Sequence, residues 1–135
     1  MIVEGGCYCG SVRYRAEGTP LLKAECFCRE CQYITGGNSV HIMAMPVDGF
    51  ELTKGETKAF ARPDLDNPVS REFCPDCGTH LLTRAPGFPA GVILKVGSLD
   101  DPSTYGGPDS AHFSCDMQAF HRASPDIPLF NKWAS

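Results

Sequence analysis

Apolar and polar residues alternate in short runs along most of the chain, and glycine or proline interrupts each run before it reaches helical length. In residues 11–16, Val12, Tyr14 and Ala16 fall on one face and Arg13 and Arg15 on the other, the pattern of a half-buried antiparallel strand. Residues 21–27 predict a second strand, joined to the first through Glu17-Gly18-Thr19-Pro20. Residues 39–45 set Val40, Ile42 and Ala44 against His41, Met43 and Met45, and the two methionines read as packing. Residues 50–52 and 57–61 flank Lys54-Gly55-Glu56 and predict a hairpin. Residues 69–73, 80–83 and 91–96 continue the strand pattern, and 112–118 predict a final strand. The single helical piece is 29–34, too short to stand without tertiary support. Residues 124–133 carry Pro125 and Pro128 and read as an irregular tail packed by Ile127, Leu129, Phe130 and Trp133. Many short strands separated by Gly/Pro turns predict a mostly β fold.

Length and charge narrow the picture. A chain of 135 residues fits one domain spanning 1–135, and at this size a hydrophobic core is feasible without staples. The net charge of −4 argues against a nucleic-acid backbone or an anionic membrane surface as partner. No apolar run approaches the roughly 18 residues of a membrane span. The first residues, Met1-Ile2-Val3-Glu4-Gly5-Gly6, lack the basic and apolar regions of a signal peptide, so the expected location is cytoplasmic. In that reducing compartment 8 cysteines point to metal or redox chemistry before a disulfide framework.

Seven of the cysteines form two pairs and a triplet: Cys7-Tyr8-Cys9-Gly10, Cys26-Phe27-Cys28-Arg29-Glu30-Cys31 and Cys74-Pro75-Asp76-Cys77-Gly78. Cys115 stands alone. The third group has the form of a zinc knuckle, with Pro75 presetting the turn and Gly78 free to take a positive φ. A knuckle supplies two thiolates and needs a second pair. The first group also ends in Cys-Gly, whereas Cys31 is followed by Gln32. The pairing this favours is Cys7 and Cys9 with Cys74 and Cys77, a closed four-cysteine site of structural character. A division in which the triplet meets the third group stays open. The triplet offers three sulfurs and leaves a fourth tetrahedral position for water or substrate, the arrangement of a catalytic zinc. Alternatively Cys115 or one of His41, His80, His112 and His121 closes it. Three thiolates leave a zinc site at a net charge of −1, which weakens it as a Lewis acid and suits a soft thiol ligand over ester or peptide hydrolysis.

Other residues carry two readings each. Arg29 offers a cation to a substrate carboxylate or to solvent, and Gly36-Gly37 a close backbone approach or a plain turn. His112 could move a proton or be a satisfied core histidine, and Cys115 could be a redox thiol or an inert one. Phe27, Phe73 and Phe113 read as core.

At its cysteine groups the chain resembles the glutathione-dependent formaldehyde-activating enzyme family, which includes centromere-protein-V-like proteins. The matching residues are Gly5-Gly6-Cys7-Tyr8-Cys9-Gly10-Ser11-Val12, then Cys26-Phe27-Cys28-Arg29-Glu30-Cys31 with Gly36-Gly37, then Phe73-Cys74-Pro75-Asp76-Cys77-Gly78. Gly97-Ser98-Leu99-Asp100-Asp101-Pro102 resembles the family's glycine–x–leucine–aspartate turn, and Asp126-Ile127-Pro128-Leu129-Phe130 its C-terminal motif with the proline one place early. Asp116-Met117-Gln118-Ala119-Phe120, after His112-Phe113, departs from the family pattern. The resemblance implies the β-tent fold and two zinc ions per chain. Cys7, Cys9, Cys74 and Cys77 would hold the structural ion, and Cys26, Cys28 and Cys31 the catalytic one. The implied activity is carbon–sulfur lyase chemistry on the adduct of a small thiol such as glutathione. A non-catalytic zinc scaffold and a thiol redox sensor are the alternatives, and nothing in the sequence fixes an oligomeric state.

Overall fold

The computed structural model describes residues 1–133. Its strands are β1 (Ile2–Gly6), β2 (Arg13–Glu17), β3 (Leu22–Cys26), β4 (Val40–Pro46), β5 (Phe50–Lys54), β6 (Lys58–Phe60), β7 (Ser70–Phe73), β8 (His80–Arg84), β9 (Gly91–Lys95) and β10 (Ser110–His112). One short helix, α1 (Arg29–Thr35), follows β3. The mostly β expectation holds. The strands divide into a three-stranded sheet, ordered β1-β2-β5, and a seven-stranded sheet, ordered β10-β3-β4-β9-β8-β7-β6. Pairing is antiparallel except where β10 runs parallel to β3.

The alternation read in β2 and β4 has a direct cause in the layering. Val12, Tyr14 and Ala16, with Val3, pack against Met43, Met45, Leu82, Val92 and Leu94 from one face of the larger sheet. Each such buried side chain contributes roughly 1.5–3 kcal/mol. The other face of that sheet carries a second apolar cluster of Ala24, Cys26, Val40 and Ile42, joined by Cys31 from α1 and flanked by Ile93 and Phe113. β4 and β9 are thus covered on both faces, which is why their runs are nearly continuous in apolar residues. Residues paired across strands share a face. Cys26 pairs with Val40, Ile42 with Lys95, Ile93 with Thr83, and Thr83 with Arg71. Cys26, Lys95, Thr83 and Arg71 therefore stand on the same side of the sheet.

Two expectations are corrected. Residues 50–52 and 57–61 do not form a hairpin: β5 pairs with β2 and β6 with β7, in different sheets. Gly55, at φ 71°, turns the chain there, and a Cβ on it would collide with the carbonyl oxygen of Ser11. Pairing with β2 holds β5 on the small sheet, and the chain crosses to the large one after this turn. The predicted strand 112–118 is also not formed. β10 ends at His112, Phe113 takes a left-handed φ of 65°, and Ser114–Asp116 is a single 3-10 turn. β1 lies outside the strand pattern read from the sequence, because Gly5 and Gly6 weaken it. The tail is irregular as expected, yet its main chain pairs with β10. Ala111 donates its N–H to the Pro128 carbonyl, and Phe130 donates to the Ala111 carbonyl, each at 2.9 Å. Among the described residues no helix is long and apolar enough to cross a membrane.

Candidate metal centres

The first and third cysteine groups fold into similar turns on neighbouring loops. Gly10 donates its N–H to the Cys7 carbonyl at 3.1 Å, and Gly78 to the Cys74 carbonyl at 2.9 Å. Gly10 sits at φ 81° and Gly78 at φ 78°, conformations that an L side chain adopts only with strain. The two turns bring the sulfurs of Cys7, Cys9, Cys74 and Cys77 within 4.8 Å of one another. Cys7 and Cys9 sulfurs lie 3.6 Å apart, and Cys9 and Cys74 sulfurs 3.8 Å. Bonds of about 2.3 Å to a tetrahedral zinc give an edge of roughly 3.8 Å, so this donor set fits that ion. Backbone N–H groups already point at the sulfurs: Val12 to Cys7 at 3.2 Å, and Asp76 and Cys77 to Cys74 at 3.4 Å. Thr79 ties the loops together, its Oγ1 accepting from the Tyr8 N–H at 3.0 Å and lying 3.2 Å from the Cys77 sulfur. The side chain and backbone of Thr79 draw the Cys77 thiol down to about 6. Burial pushes the Cys7 thiol up, but bonds from Val12 and Ser11 outweigh it and bring it to about 7. Both shifts favour the thiolate, the form that binds a metal.

The second group is built differently. Cys26 ends β3, Cys28 caps α1 by accepting from the Cys31 N–H at 3.3 Å, and Cys31 lies in the first helical turn. Three sulfurs from a strand end and a helix start converge, and each lies within 4.8 Å of the others. The Cys28 and Cys31 sulfurs are 2.9 Å apart. Hydrogen bonds from Cys26 and Cys31 draw the Cys28 thiol well below the usual range, helped by the Arg71 charge. The same sharing holds the protons on Cys26 and Cys31 and pushes both of those thiols up. Three sulfurs this close fit a divalent cation, which would replace their protons on binding.

A buried amide fixes this loop. Gln32 Nε2 donates to the Phe27 carbonyl at 2.9 Å and to the Asp116 carbonyl at 2.8 Å. Among the described residues no fourth donor joins the trio. Cys115 is exposed and its sulfur lies 3.9 Å from the Asp116 carboxylate. His41 leans on Glu25, and His80 faces Phe73. His121 meets the Gly37 carbonyl at 2.7 Å, and its Nδ1 accepts from the Gln118 N–H. His112 is buried, 2.8 Å from the Ser110 hydroxyl and packed against Trp133, so it is a satisfied core histidine. Arg29 is exposed and lies over the Tyr33 ring. Phe27 is fully buried, whereas Phe73 and Phe113 are only half-buried.

The trio opens on a cavity of about 290 Å³, walled by Val40, Ile42, Ile93, Phe113 and Trp133 and by the polar Arg71, Thr83 and Lys95. Sequence reading passed over these three polar residues. Lys95 was detectable: it is the one charge in the apolar run Gly91-Val92-Ile93-Leu94-Lys95-Val96. Burial pushes its ammonium down to about 8.

The family model for the glutathione-dependent formaldehyde-activating enzyme matches residues 2–116. The chain belongs to the glutathione-dependent formaldehyde-activating enzyme family. That match spans both sulfur clusters and ends at Asp116, whose carbonyl anchors Gln32. A Halomonas elongata protein that carries the same family name is 29% identical over 105 residues, covering 74% of this chain and 67% of that protein. The crystal structure of a Rhodobacter sphaeroides protein superposes with a TM-score of 0.60 at 15% identity, covering 93% of this chain and 98% of the other. That likeness concerns the fold alone.

Proposed function

We propose that this chain is a zinc-dependent enzyme of carbon–sulfur lyase type, acting on the adduct of a small thiol, such as glutathione, with a carbonyl compound. The observation that carries the reading is the three-sulfur cluster with no fourth protein donor among the described residues, opening on a cavity of about 290 Å³. In this reading Cys26, Cys28 and Cys31 hold the catalytic ion, and Cys7, Cys9, Cys74 and Cys77 hold a structural one. The chain is then one zinc-clipped β-tent domain over 1–135, working in the reducing cytoplasm without nucleic acid or membrane. The family membership supports a glutathione-related activity on formaldehyde.

Bound zinc would supply a Lewis acid that lowers the pKa of a substrate thiol. The protein's part is positional. Gln32 holds Phe27 and Asp116 so that the triplet keeps its geometry. Val40, Ile42, Ile93 and Phe113 exclude water from one side of the sulfurs. In the forward direction a sulfur–carbon bond forms and the carbonyl π pair moves onto oxygen. The proton that leaves the thiol equals the one the new hydroxyl gains, and the lyase direction reverses each change.

Elemental analysis of natively purified protein should find two zincs per chain. Cys28→Ser should lose one of them, keep its far-ultraviolet circular dichroism, and lose acceleration of thiol–formaldehyde exchange measured by NMR. Full activity in that variant overturns the proposal.

A further inference from the structure

Behind the three sulfurs stand cations that balance the charge of the trio and still hold hydrogen-bonding capacity to spare. Lys95 is 8% exposed and Thr83 5% exposed. Among the described residues the Lys95 ammonium has no carboxylate partner, and the Thr83 hydroxyl and the Arg71 Nε are buried with no hydrogen-bond partner. Arg71 donates from Nη2 to Glu30 at 2.8 Å, which leaves its Nε–H unspent. Strand register puts all three on the sheet face that carries Cys26, and all three line the cavity that holds the trio. Glu30 and Asp116 are the anionic residues of that wall, and Arg29 adds a further cation. Buried donors are nearly always satisfied, and a cluster of them around apolar walls calls for a ligand rich in acceptors. A carboxylate matches: it is planar and accepts through two oxygens, enough for a guanidinium N–H, a hydroxyl and an ammonium together.

We propose that Lys95, Arg71 and Thr83 form a carboxylate subsite, so that this enzyme selects a thiol adduct bearing a carboxylate that reaches this wall of the cavity. The inference rests on the three-cysteine reading above. A bare hydroxymethyl thioether would leave these donors unfilled. The carboxylate has two possible sources. It belongs to the carbonyl partner, as in a 2-oxo acid, or to the thiol partner, as in glutathione.

The test is calorimetric binding of unreactive thioethers to the zinc-loaded protein. The probes are (methylthio)acetate, with its carboxylate on the carbonyl side, S-methylglutathione, with carboxylates on the thiol side, and neutral 2-(methylthio)ethanol. At least one carboxylate probe should bind ten-fold or more tighter than the neutral one, and which of them does so names the source. Lys95→Met should reduce that preference to less than two-fold. Thr83→Val, which changes no charge, should weaken it two- to five-fold and provides a second variant if Lys95→Met does not fold. Equal binding of all three probes to the wild type overturns the subsite. Thiol–carbonyl exchange that persists alongside equal binding leaves the lyase reading standing without the subsite. A carboxylate preference that depends on Lys95 in a protein without exchange activity leaves the subsite and removes the lyase.

Discussion

Gly10, Gly55 and Gly78 have nearly the same backbone conformation, at φ 81°, 71° and 78°, but different surroundings. A Cβ added at Gly10 or Gly78 meets nothing within 4 Å, whereas one at Gly55 collides with the Ser11 carbonyl oxygen and comes within 3.1 Å of its carbon. The three alanine variants therefore separate backbone strain from steric conflict. Left-handed backbone costs an L residue about 1–2 kcal/mol. Alanine also restricts the unfolded chain, which returns roughly 0.4–1 kcal/mol. Gly10→Ala and Gly78→Ala should each lose about 1 kcal/mol, and Gly78→Asn less, since asparagine tolerates this region. Gly55→Ala adds a clash with backbone that cannot rotate away, worth a further 1–3 kcal/mol or so. The assay is urea unfolding followed by circular dichroism, with free zinc buffered to one value so that metal linkage is constant. If Gly55→Ala proves no worse than Gly78→Ala, the close approach of the 55 turn to Ser11 is wrong. If Gly78→Asn falls below Gly78→Ala, the cost lies outside φ.

Two further predictions concern buried polar groups. Gln32→Leu leaves the Phe27 carbonyl without its side-chain donor and the Asp116 carbonyl with only the longer bond from Gln118 at 3.4 Å, and should cost on the order of 1–3 kcal/mol. Competition with a chromophoric chelator should show weaker metal at the three-cysteine site and unchanged metal at the other; equal loss at both would refute a local role. Burial raises the Tyr14 phenol to about 12, although the bond to the Ser98 hydroxyl at 2.7 Å opposes the shift. A raised acid gives stability that is fully present below the unfolded value near 10 and is lost as pH rises through 12. Absorbance at 295 nm should show a late ionisation step that Tyr14→Phe removes, and an unchanged titration in that variant would count against it.

Local chemistry was the part most open to sequence reading. The faces of β2 and β4 and the two Cys-Gly turns follow from alternation and from what glycine permits, and both can be judged within a few residues. The matching glycines favoured grouping Cys7 and Cys9 with Cys74 and Cys77 but left a division with the triplet open, and it is the fold that brings those four sulfurs together. What escaped depends on which strands meet. The 50–61 stretch looks like a hairpin locally, and only its pairing with strands distant in the chain, β5 with β2 and β6 with β7, puts its halves in different sheets. Arg71 and Thr83 look like ordinary polar positions until the register of β7, β8 and β9 sets them on the same face as Cys26. Phe113 gave no warning of its left-handed turn, because a bulky aromatic residue seldom takes one.

The pairing of the tail with β10 has a consequence for how the molecule meets other copies of itself. An open sheet edge is a template for uncontrolled strand addition. Here the β10 edge is occupied by the chain's own residues 128–130, and Pro128 has no N–H to extend the ladder outward. Three residues further on, Trp133 walls the sulfur cavity. Cover of the β10 edge and the shape of the cavity are thus set by one short stretch. A C-terminal truncation ahead of Pro128 would release a sticky edge and unwall the site together, so solubility and ligand selectivity are bound to change in the same variants.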